Sequence, residues 1–254
     1  MVFIIPVKSA VISPSWSRFS KLFERCVRSV CQQTDQDFKV VVVCNEKPIV
    51  TFEHKNIHYL NVDFPPPTDE VSKVFTGLHS AKEADKSKKI LAGLEYANRF
   101  ETSHIMVVDA DDCISNNIVS FVKDHPETDG WYSNMGYVYR EGSGIIFKKL
   151  DKFSSLCGTS LIVKPQHIKG IINKEMLFRH PIRTLDNGIK LKPLPFPAAV
   201  YTINGENYFM NETTMKHYKG ETASKFKKLV ERLMRYRVWL LTSEVKNKFG
   251  LYKI

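Results

Sequence analysis

The sequence has few of the features that mark secreted or membrane-spanning proteins. Its five cysteines (Cys26, Cys31, Cys44, Cys113 and Cys157) are odd in number and form no Cys-x-x-Cys pair, which argues against a disulfide framework or a zinc site. No apolar run approaches the ~20 residues that a membrane-spanning helix requires. The apolar N-terminus is shorter than a signal-peptide core, which takes about 7–15 residues. These absences predict a cytoplasmic protein with reduced thiols.

Positive charge is concentrated in the C-terminal tail. The chain has 254 residues and carries 37 Lys and Arg against 27 Asp and Glu, a formal net charge of +10. Residues 219–254 hold ten of the basic residues and three of the acids, a local excess of +7. The rest of the chain is therefore close to neutral. A general nucleic-acid binder needs a basic groove across its fold, so no nucleic-acid partner is expected.

Apolar periodicity predicts alternating strands and helices in the first half. Continuous β-branched runs are typical of strands covered on both faces, and apolar residues at i, i+3, i+4 and i+7 are typical of helices. The resulting order β-α-β-β-α-β predicts a mostly parallel sheet with helices on both faces. Ligands bind such sheets beyond the carboxyl ends of the strands. The predicted strands are 2–7, 38–45, 57–64 and 104–109, and the predicted helices are 13–34, 69–80 and 87–100.

The second half has a different pattern. Residues 131–147 predict a hairpin that turns at 141–144, and residues 159–165 predict a strand. A stretch interrupted by prolines follows at 191–203. Residues 222–248 predict a helix, whose apolar face consists of Phe226, Leu229, Val230 and Leu233.

An acid cluster ends the last apolar strand of the first half. Asp109, Asp111 and Asp112 stand together in HIMVVDADDCIS, where like charges repel unless a positive group balances them. A surface turn explains them simply, because Asp is favoured in turns. A second interpretation is a magnesium or manganese loop that holds a phosphate substrate. A third is an aspartyl nucleophile of a phosphatase, which Cys113 disfavours because that pattern has Thr or Val at this position.

Four segments in order resemble the nucleotide-binding half of family 2-like glycosyltransferases with the GT-A fold. They are FIIPVK (3–8), CVRSVCQQTDQDFKVVVVCNEK (26–47), KKILAGLEYA (88–97) and MVVDADDCIS (106–115). The resemblance covers roughly residues 2–122. The chain departs from that family at Cys44-Asn45-Glu46-Lys47, where the second strand usually ends in Asp-Asp-x-Ser. It also inserts a proline-rich loop at 64–85.

The resemblance implies both a fold and an activity. The fold would be α/β and Rossmann-like: a mostly parallel central sheet flanked by helices, a smaller mixed acceptor-side region and a C-terminal helix. Residues 1–122 would bind the donor, 123–218 would form the acceptor-side half of the same domain, and 219–254 would be a basic tail. The activity would be metal-dependent transfer of a sugar from a nucleotide-sugar, expected to be UDP-linked, to a glycan or lipid-linked acceptor. A non-catalytic nucleotide-binding protein and an Asp-x-Asp phosphohydrolase remain alternatives.

The resemblance also implies roles in the donor half. Asp111 would hold Mn²⁺ or Mg²⁺, which stabilises the charge on the departing diphosphate. Asp109 would bind the ribose or a metal-bound water, and Asp112 is expected to cap a helix that begins near Ser115. The remaining donor-site candidates are Pro6, Val7 and Lys8 beside the base, Asn45 or Glu46 as acceptors from it, and Lys88 or Lys89 near the phosphates.

The acceptor half and the tail provide the other candidates. An inverting enzyme needs a carboxylate base, and the spacing from Asp111 suggests Asp186, with Asp151 and Glu206 as rivals. His180 or His217 is expected as a third metal ligand. The basic tail is either a solvated face or a peripheral contact with anionic lipid at the inner face of the membrane. In the second case Tyr236 and Trp239 would lie at headgroup level.

Overall fold

The computed structural model describes residues 1–68, 78–204, 206 and 236–254; of residues 78–80 it describes the backbone only. Several predictions therefore lie outside the described residues. They concern His217, most of the short helix at 69–80, and the part of the tail helix that contains Phe226, Leu229, Val230 and Leu233.

The described elements alternate between strands and helices along the first half and are mostly strands thereafter. The helices are α1 (Trp16–Cys31), α2 (Leu78–Ala97), α3 (Ile118–Lys123), α4 (Ile168–Ile171) and α5 (Ser243–Phe249). The strands are β1 (Val2–Pro6), β2 (Lys39–Cys44), β3 (Ile57–Asn61), β4 (Ile105–Val107), β5 (Cys113–Ile114), β6 (Gly130–Tyr132), β7 (Gly136–Arg140), β8 (Ile145–Lys149), β9 (Leu161–Val163), β10 (Lys192–Pro193), β11 (Ala199–Ile203) and β12 (Tyr236–Leu240).

A seven-stranded central sheet has the order β10-β6-β9-β4-β1-β2-β3. Strands β4, β1, β2 and β3 are parallel, and β9 is antiparallel to both of its neighbours, β4 and β6. Alternate side chains of β1 point to opposite faces of this sheet. Phe3 packs in the core cluster that contains the apolar stripe of α1, and Ile4 packs in the cluster that contains Ile90 and Leu94 of α2. The two helices therefore cover the two faces.

This arrangement confirms the predicted fold class. The β-α-β-β-α-β order of the first half is present, the central sheet is mostly parallel, and a short helix lies near the C-terminus. The continuous apolar runs of β1 and β2 are buried because both of their faces are covered by helices. The carboxyl ends of β1 and β4 lie side by side, so the residues that follow them come together.

A second, five-stranded sheet has the order β12-β8-β7-β11-β5. The hairpin predicted within 131–147 is formed by β7 and β8. The first residues of that segment are not part of the hairpin, because Trp131 and Tyr132 belong to β6 and pair with β9 in the central sheet. Strand β5 follows the acid cluster directly and pairs with β11. The two sheets therefore meet at Asp109–Asp112.

The described part of the tail corrects the predicted helix. Tyr236–Leu240 is a strand, β12, and pairs antiparallel with β8. Helix α5 begins only after Thr242, whose side chain caps it by accepting a hydrogen bond from the Val245 backbone N–H. Phe249 and Leu251 are buried with Tyr137, Tyr139 and Val200 of the second sheet. No helix in the described part of the chain has the length and apolar character that crossing a bilayer demands.

Candidate functional site

A cleft opens where the ends of β1 and β4 meet the second sheet. Seven of the predicted candidate residues line it: Pro6, Val7, Lys8, Lys89, Asp109, Asp111 and Glu206. The other lining residues are Phe19, Asp85, Lys86, Ala110 and Tyr201. The cleft is therefore rich in paired charges and lies at the carboxyl edge of the parallel strands, where α/β sheets bind ligands.

Asp109 forms an ion pair with Lys86 of α2, with 2.5 Å between Nζ and Oδ1. Burial lowers the pKa of the Lys86 ammonium, but the charges of Asp109 and Glu83, together with the hydrogen bond to Asp109, more than offset this and the pKa is raised. Gly158 lies directly behind the pair, since a Cβ there would stand 2.6 Å from Asp109 Oδ2 and 2.8 Å from Lys86 Nζ. The absence of a side chain at 158 leaves room for the pair.

Asp111 is held by the second sheet. Its Oδ2 accepts a hydrogen bond from Asn204 Nδ2 at 2.8 Å, and its backbone carbonyl accepts one from Thr202 Oγ1 at 2.6 Å. Burial raises the pKa of the Asp111 carboxyl, and the charge of Asp109 adds to this although the bond from Asn204 opposes it. An additional cation beside these carboxylates would favour their ionised form.

Asp112 is a buried structural residue and does not cap a helix, which corrects the prediction. Its carboxylate accepts bonds from Thr159 Oγ1 at 2.7 Å, Cys157 Sγ at 3.1 Å and the Thr202 backbone N–H at 3.2 Å. Burial, followed by the charges of Asp111 and Asp109, raises its pKa well above the usual value. The next α-helix, α3, begins only at Ile118, with Asn117 at its N-cap.

Lys8 and Glu206 connect β1 to the chain after the second sheet. Lys8 Nζ is 2.7 Å from Glu206 Oε2, and both side chains are about 95% buried. Ser13 Oγ donates to the same carboxylate oxygen at 3.1 Å. Tyr201 lies on the same side of the cleft, and burial together with the nearby carboxylates raises its pKa, so its phenol keeps its proton and can donate it in a hydrogen bond.

Lys88 and Lys89, although adjacent, lie in different surroundings. Lys89 is fully buried and pairs with Asp85 one turn earlier on α2, at 2.8 Å. Lys88 is exposed and lines a separate hollow between α2 and residues 165–176. The structure therefore brings Lys89 to the cleft and leaves Lys88 outside it.

Asn45 and Glu46, predicted to contact the base, do not line the cleft. Asn45 Nδ2 donates to the carbonyls of Val62 and Phe64, which holds the chain after β3. Glu46 accepts from Ser9 Oγ and from the Ala10 backbone N–H, both at 3.0 Å. Glu46 therefore fixes the loop that follows Lys8 and acts on the cleft indirectly.

The predicted base Asp186 also lies outside the cleft. Both of its carboxylate oxygens accept bonds from Arg179 Nη2 at 2.9 Å, and its side chain is 66% exposed. Asp151 follows β8 and is likewise not among the lining residues. Of the three carboxylates predicted for this role, Glu206 alone lines the cleft.

His180 stands close to the acid cluster without lining the cleft. Its Nδ1 contacts the Ser154 carbonyl oxygen, which places the proton of a neutral ring on Nδ1 and the lone pair on Nε2. Burial, and then the charge of Lys86, lower the pKa of the imidazole. A neutral ring oriented by a carbonyl is the form in which histidine binds metals.

The residues of the cleft fit a divalent cation only in part. No group of three or more His, Cys, Asp or Glu among the described residues is arranged to hold a metal ion. Asp109 and Asp111 nevertheless offer two carboxylates in one cleft, and Mg²⁺ is usually bound by one or two carboxylates together with substrate phosphates and water. The donor set therefore suits a cation that arrives with a phosphate ligand.

No protein-family model and no curated protein matches this chain. Solved structures with a related overall shape include S. aureus TarS in complex with UDP-GlcNAc, with 12% identity over 92% of this chain and 64% of that chain at a TM-score of 0.45. An active-site mutant of LgtC matches with 11% identity over 90% of this chain and 81% of that one, at a TM-score of 0.37.

A third similar structure is the Francisella tularensis 2-C-methyl-D-erythritol 4-phosphate cytidylyltransferase IspD, with 10% identity over 86% of this chain and 98% of that chain at a TM-score of 0.38. The chain spans 43–64% of the TarS chains that it matches. At these identities and TM-scores the comparisons assign no activity. The functional argument therefore rests on the cleft.

Sequence reasoning missed Asp85, Lys86 and Tyr201, which line the cleft, and Gly158, which lies behind the ion pair of Lys86 and Asp109. The helix predicted at 87–100 began too late to include Asp85 and Lys86. The buried residues Ala81 and Ala84 continue the apolar stripe of Ile90 and Leu94 toward the N-terminus, and the i, i+4 spacing of Asp85 and Lys89 suits a helical ion pair. Both signals were present in the sequence. Nothing local marked Gly158 or Tyr201.

Proposed function

We propose that this protein is a metal-dependent glycosyltransferase that uses a nucleoside-diphosphate sugar, with UDP as the expected nucleotide. The observation that carries the proposal is the combination of Asp109 and Asp111 with the lysines of one cleft, at the carboxyl edge of parallel strands. A diphosphate ligand needs positive charge around it, and a carboxylate pair beside it binds the cation that shares its oxygens.

Residues of this chain would bind the cation, contact the phosphates and act as the base. Asp111, oriented by Asn204, and Asp109 would hold Mn²⁺ or Mg²⁺, with His180 as a further ligand. Such a cation supplies Lewis-acid stabilisation of the leaving diphosphate. Lys86 would turn from Asp109 to a phosphate oxygen. Glu206, the one carboxylate of the three predicted bases that lines the cleft, would accept the proton of the acceptor hydroxyl.

The test is calorimetric titration of UDP in the presence of Mn²⁺. Asp111→Asn keeps the hydrogen-bonding shape but removes the charge, so we expect UDP affinity to fall at least tenfold, about 1.4 kcal/mol. Asp186→Asn is the matched control, because Asp186 lies outside the cleft and should leave UDP affinity unchanged. Equal affinity of Asp111→Asn and the unaltered protein would refute the site.

The two alternatives predict different turnover. A non-catalytic nucleotide-binding protein would bind UDP with Mn²⁺ and leave UDP-GlcNAc intact over long incubation. A phosphohydrolase would release phosphate from a generic phosphate ester. A glycosyltransferase is expected to hydrolyse the sugar donor slowly in the absence of acceptor and not to attack the ester. The acceptor is proposed to be a glycan or a lipid-linked glycan.

A further inference from the structure

Asp85 carries a buried carboxylate oxygen that the protein itself leaves unsatisfied. Its Oδ2 is 2.8 Å from Lys89 Nζ, and its Oδ1 has no hydrogen-bond partner among the described residues. The residue is 6% exposed and lines the cleft. Buried polar groups are normally hydrogen-bonded, so an orphan oxygen on the wall of a ligand cleft points to a partner that comes with the ligand.

The pair with Lys89 does not account for this oxygen. Lys89 lies one turn further along the same helix, is fully buried, and bonds Asp85 through Oδ2 and not through Oδ1. A pair that served packing alone would be expected to have its remaining lone pairs bound by neighbouring groups. Burial raises the pKa of the Asp85 carboxyl and Lys89 opposes the shift, so the carboxyl is poorly solvated where it stands.

The position of Asp85 within the cleft identifies the part of the ligand that it would meet. The charge of Lys89 acts on the thiol of Cys44 at the end of β2, so the Asp85–Lys89 pair lies toward β2. Asp109 and Asp111 follow β4, on the other side of β1. Asp111 is bonded to Thr202 and Asn204 at the end of β11, and Asp109 is paired with Lys86, the neighbour of Asp85. The two acids therefore lie between Asp85 and the second sheet.

This order separates the two ends of a nucleotide-sugar. With the diphosphate at Asp109 and Asp111, the sugar must face the second half of the chain, where the acceptor is proposed to bind. The nucleoside then extends over the end of β1 toward β2. Glu46 and the Asn45 amide nitrogen, which follow β2, are occupied by other contacts. Asn45 Oδ1 has no partner among the described residues but does not line the cleft, so Asp85 is the carboxylate that remains at this end.

We propose that Asp85 Oδ1 accepts a hydrogen bond from an N–H or O–H group of the nucleoside and helps to determine which nucleotide the cleft accepts. This inference rests on the function proposed above. An ionised carboxylate only accepts hydrogen bonds. The partner is therefore a donor, such as the imide N–H of a uracil or a ribose hydroxyl.

The experiment compares three Mn²⁺-loaded probes by calorimetry: pyrophosphate, UDP and UDP-GlcNAc. In Asp85→Asn the single amide oxygen accepts the hydrogen bond from the Lys89 ammonium. The NH₂ group then faces the cleft, where it cannot accept a hydrogen bond from the ligand's donor. We expect UDP and UDP-GlcNAc to bind at least tenfold more weakly, by the same factor, while pyrophosphate binding is retained. Glu95→Gln, an exposed charge removed from the same helix, should change none of the three affinities.

A second variant protects the test against misfolding, because Asp85→Asn leaves a buried ammonium without its counter-charge. Asp85→Glu keeps the counter-charge of Lys89 but moves the carboxylate by one methylene, so it should weaken UDP and UDP-GlcNAc binding in the same way and retain pyrophosphate binding, with folding checked by thermal denaturation. Loss confined to UDP-GlcNAc, unchanged UDP affinity, or a parallel loss for pyrophosphate would each overturn the inference. If the unaltered protein binds no UDP, the proposed function fails instead.

Discussion

Gly158 shows how closely single residues are fitted around the cleft. Its backbone lies against the ion pair of Lys86 and Asp109, and a Cβ would stand 2.6 Å from a carboxylate oxygen. Both side chains end in flexible groups, so the strain of an added methyl would be relieved by displacing them. The expected effect is therefore on the cleft more than on the fold.

We predict that Gly158→Ala weakens UDP binding in the presence of Mn²⁺ about tenfold, about 1.4 kcal/mol, with a small change in melting temperature. Gly170→Ala is the matched control, because a Cβ at 170 meets nothing within 4 Å. Calorimetry and thermal denaturation of the two variants check this. A Gly158→Ala protein that bound UDP normally would show that the pair tolerates displacement.

His104 makes stability depend on pH. The ring is buried, its Nε2 lies 2.7 Å from the Thr128 carbonyl oxygen, and Nδ1 has no partner in the described parts of the chain. Burial lowers its pKa, although the Thr128 carbonyl opposes the shift. In the unfolded chain the histidine has a pKa of about 6.5. Below that pH the unfolded chain binds a proton that the folded chain does not, so the free energy of unfolding decreases as the pH is lowered.

We predict that the free energy of unfolding decreases from pH 7 to pH 5 and that His104→Phe reduces the slope of this decrease. Urea denaturation at several pH values measures the slope. Part of the slope should remain in the variant, because burial also lowers the pKa values of His54, His58 and His180. An identical slope in both proteins would exclude His104 as a contributor.

The elements show how much the sequence reveals and where it stops. The strands and helices of the first half were predictable because each carries a periodic or continuous apolar pattern. The strand at Tyr236–Leu240 was predicted as helix because Leu240 and Leu241 fall near helical spacing. Its strand conformation comes from pairing with β8, more than 85 residues earlier in the chain, which no local pattern contains.

The candidate site was partly predictable for the same reason. Asp109, Asp111 and the end of β1 were found because they follow recognisable strands. Glu206 and Tyr201 reach the cleft through the second sheet, and Asp186 does not reach it although its spacing from Asp111 looked suitable. Spacing in the chain defines distance only within one element. The acceptor side therefore required the tertiary fold.

Strand β12 lies at the edge of the second sheet and exposes apolar side chains. Val238, Trp239 and Leu240 are 59%, 47% and 73% exposed. Lys148 Nζ lies 5.9 Å from the Trp239 ring, and Lys149 Nζ lies 4.7 Å from the Tyr236 ring. Exposed aromatic groups beside basic ones suit the headgroup region of an anionic membrane. We propose β12 as the place of the predicted peripheral contact.

We predict that the protein sediments with liposomes containing anionic lipid at low salt, and less at physiological salt. Trp239→Ser combined with Leu240→Ser should reduce the bound fraction several-fold. Ile49→Ser, which removes an apolar group 73% exposed outside the second sheet, should not reduce it. Protein that stays in the supernatant with anionic liposomes at low salt would exclude the membrane contact.

At the scale of the whole molecule, Arg25 connects three distant parts of the chain. Its side chain in α1 is completely buried, and Nη1 lies 2.7 Å from Glu141 Oε2 in the β7–β8 turn and 2.7 Å from the Tyr252 carbonyl oxygen. Glu141 Oε1 in turn accepts a bond from the Ile254 backbone N–H at 3.0 Å. Removing one partner of a buried pair leaves the other charge buried without a counter-charge, which is strongly destabilising.

We predict that Arg25→Met lowers the free energy of unfolding by about 3–5 kcal/mol. Lys123→Met, which removes the cation of a solvent-exposed pair with Asp35, should leave the melting temperature nearly unchanged. Urea and thermal denaturation provide the comparison. Similar losses for the two variants would mean that the buried pair is no more important than the exposed one.

The charges that line the cleft also bear on the order in which ligands arrive. Three lysines and four carboxylates line it, so its formal charge before binding is −1. A negatively charged cleft does not attract a nucleotide that carries no cation. A nucleotide whose charge is already neutralised by a divalent cation is repelled less. Under the proposed function, entry would therefore be faster for the cation–nucleotide complex, and the free cation concentration of the surroundings would set how often the cleft is filled.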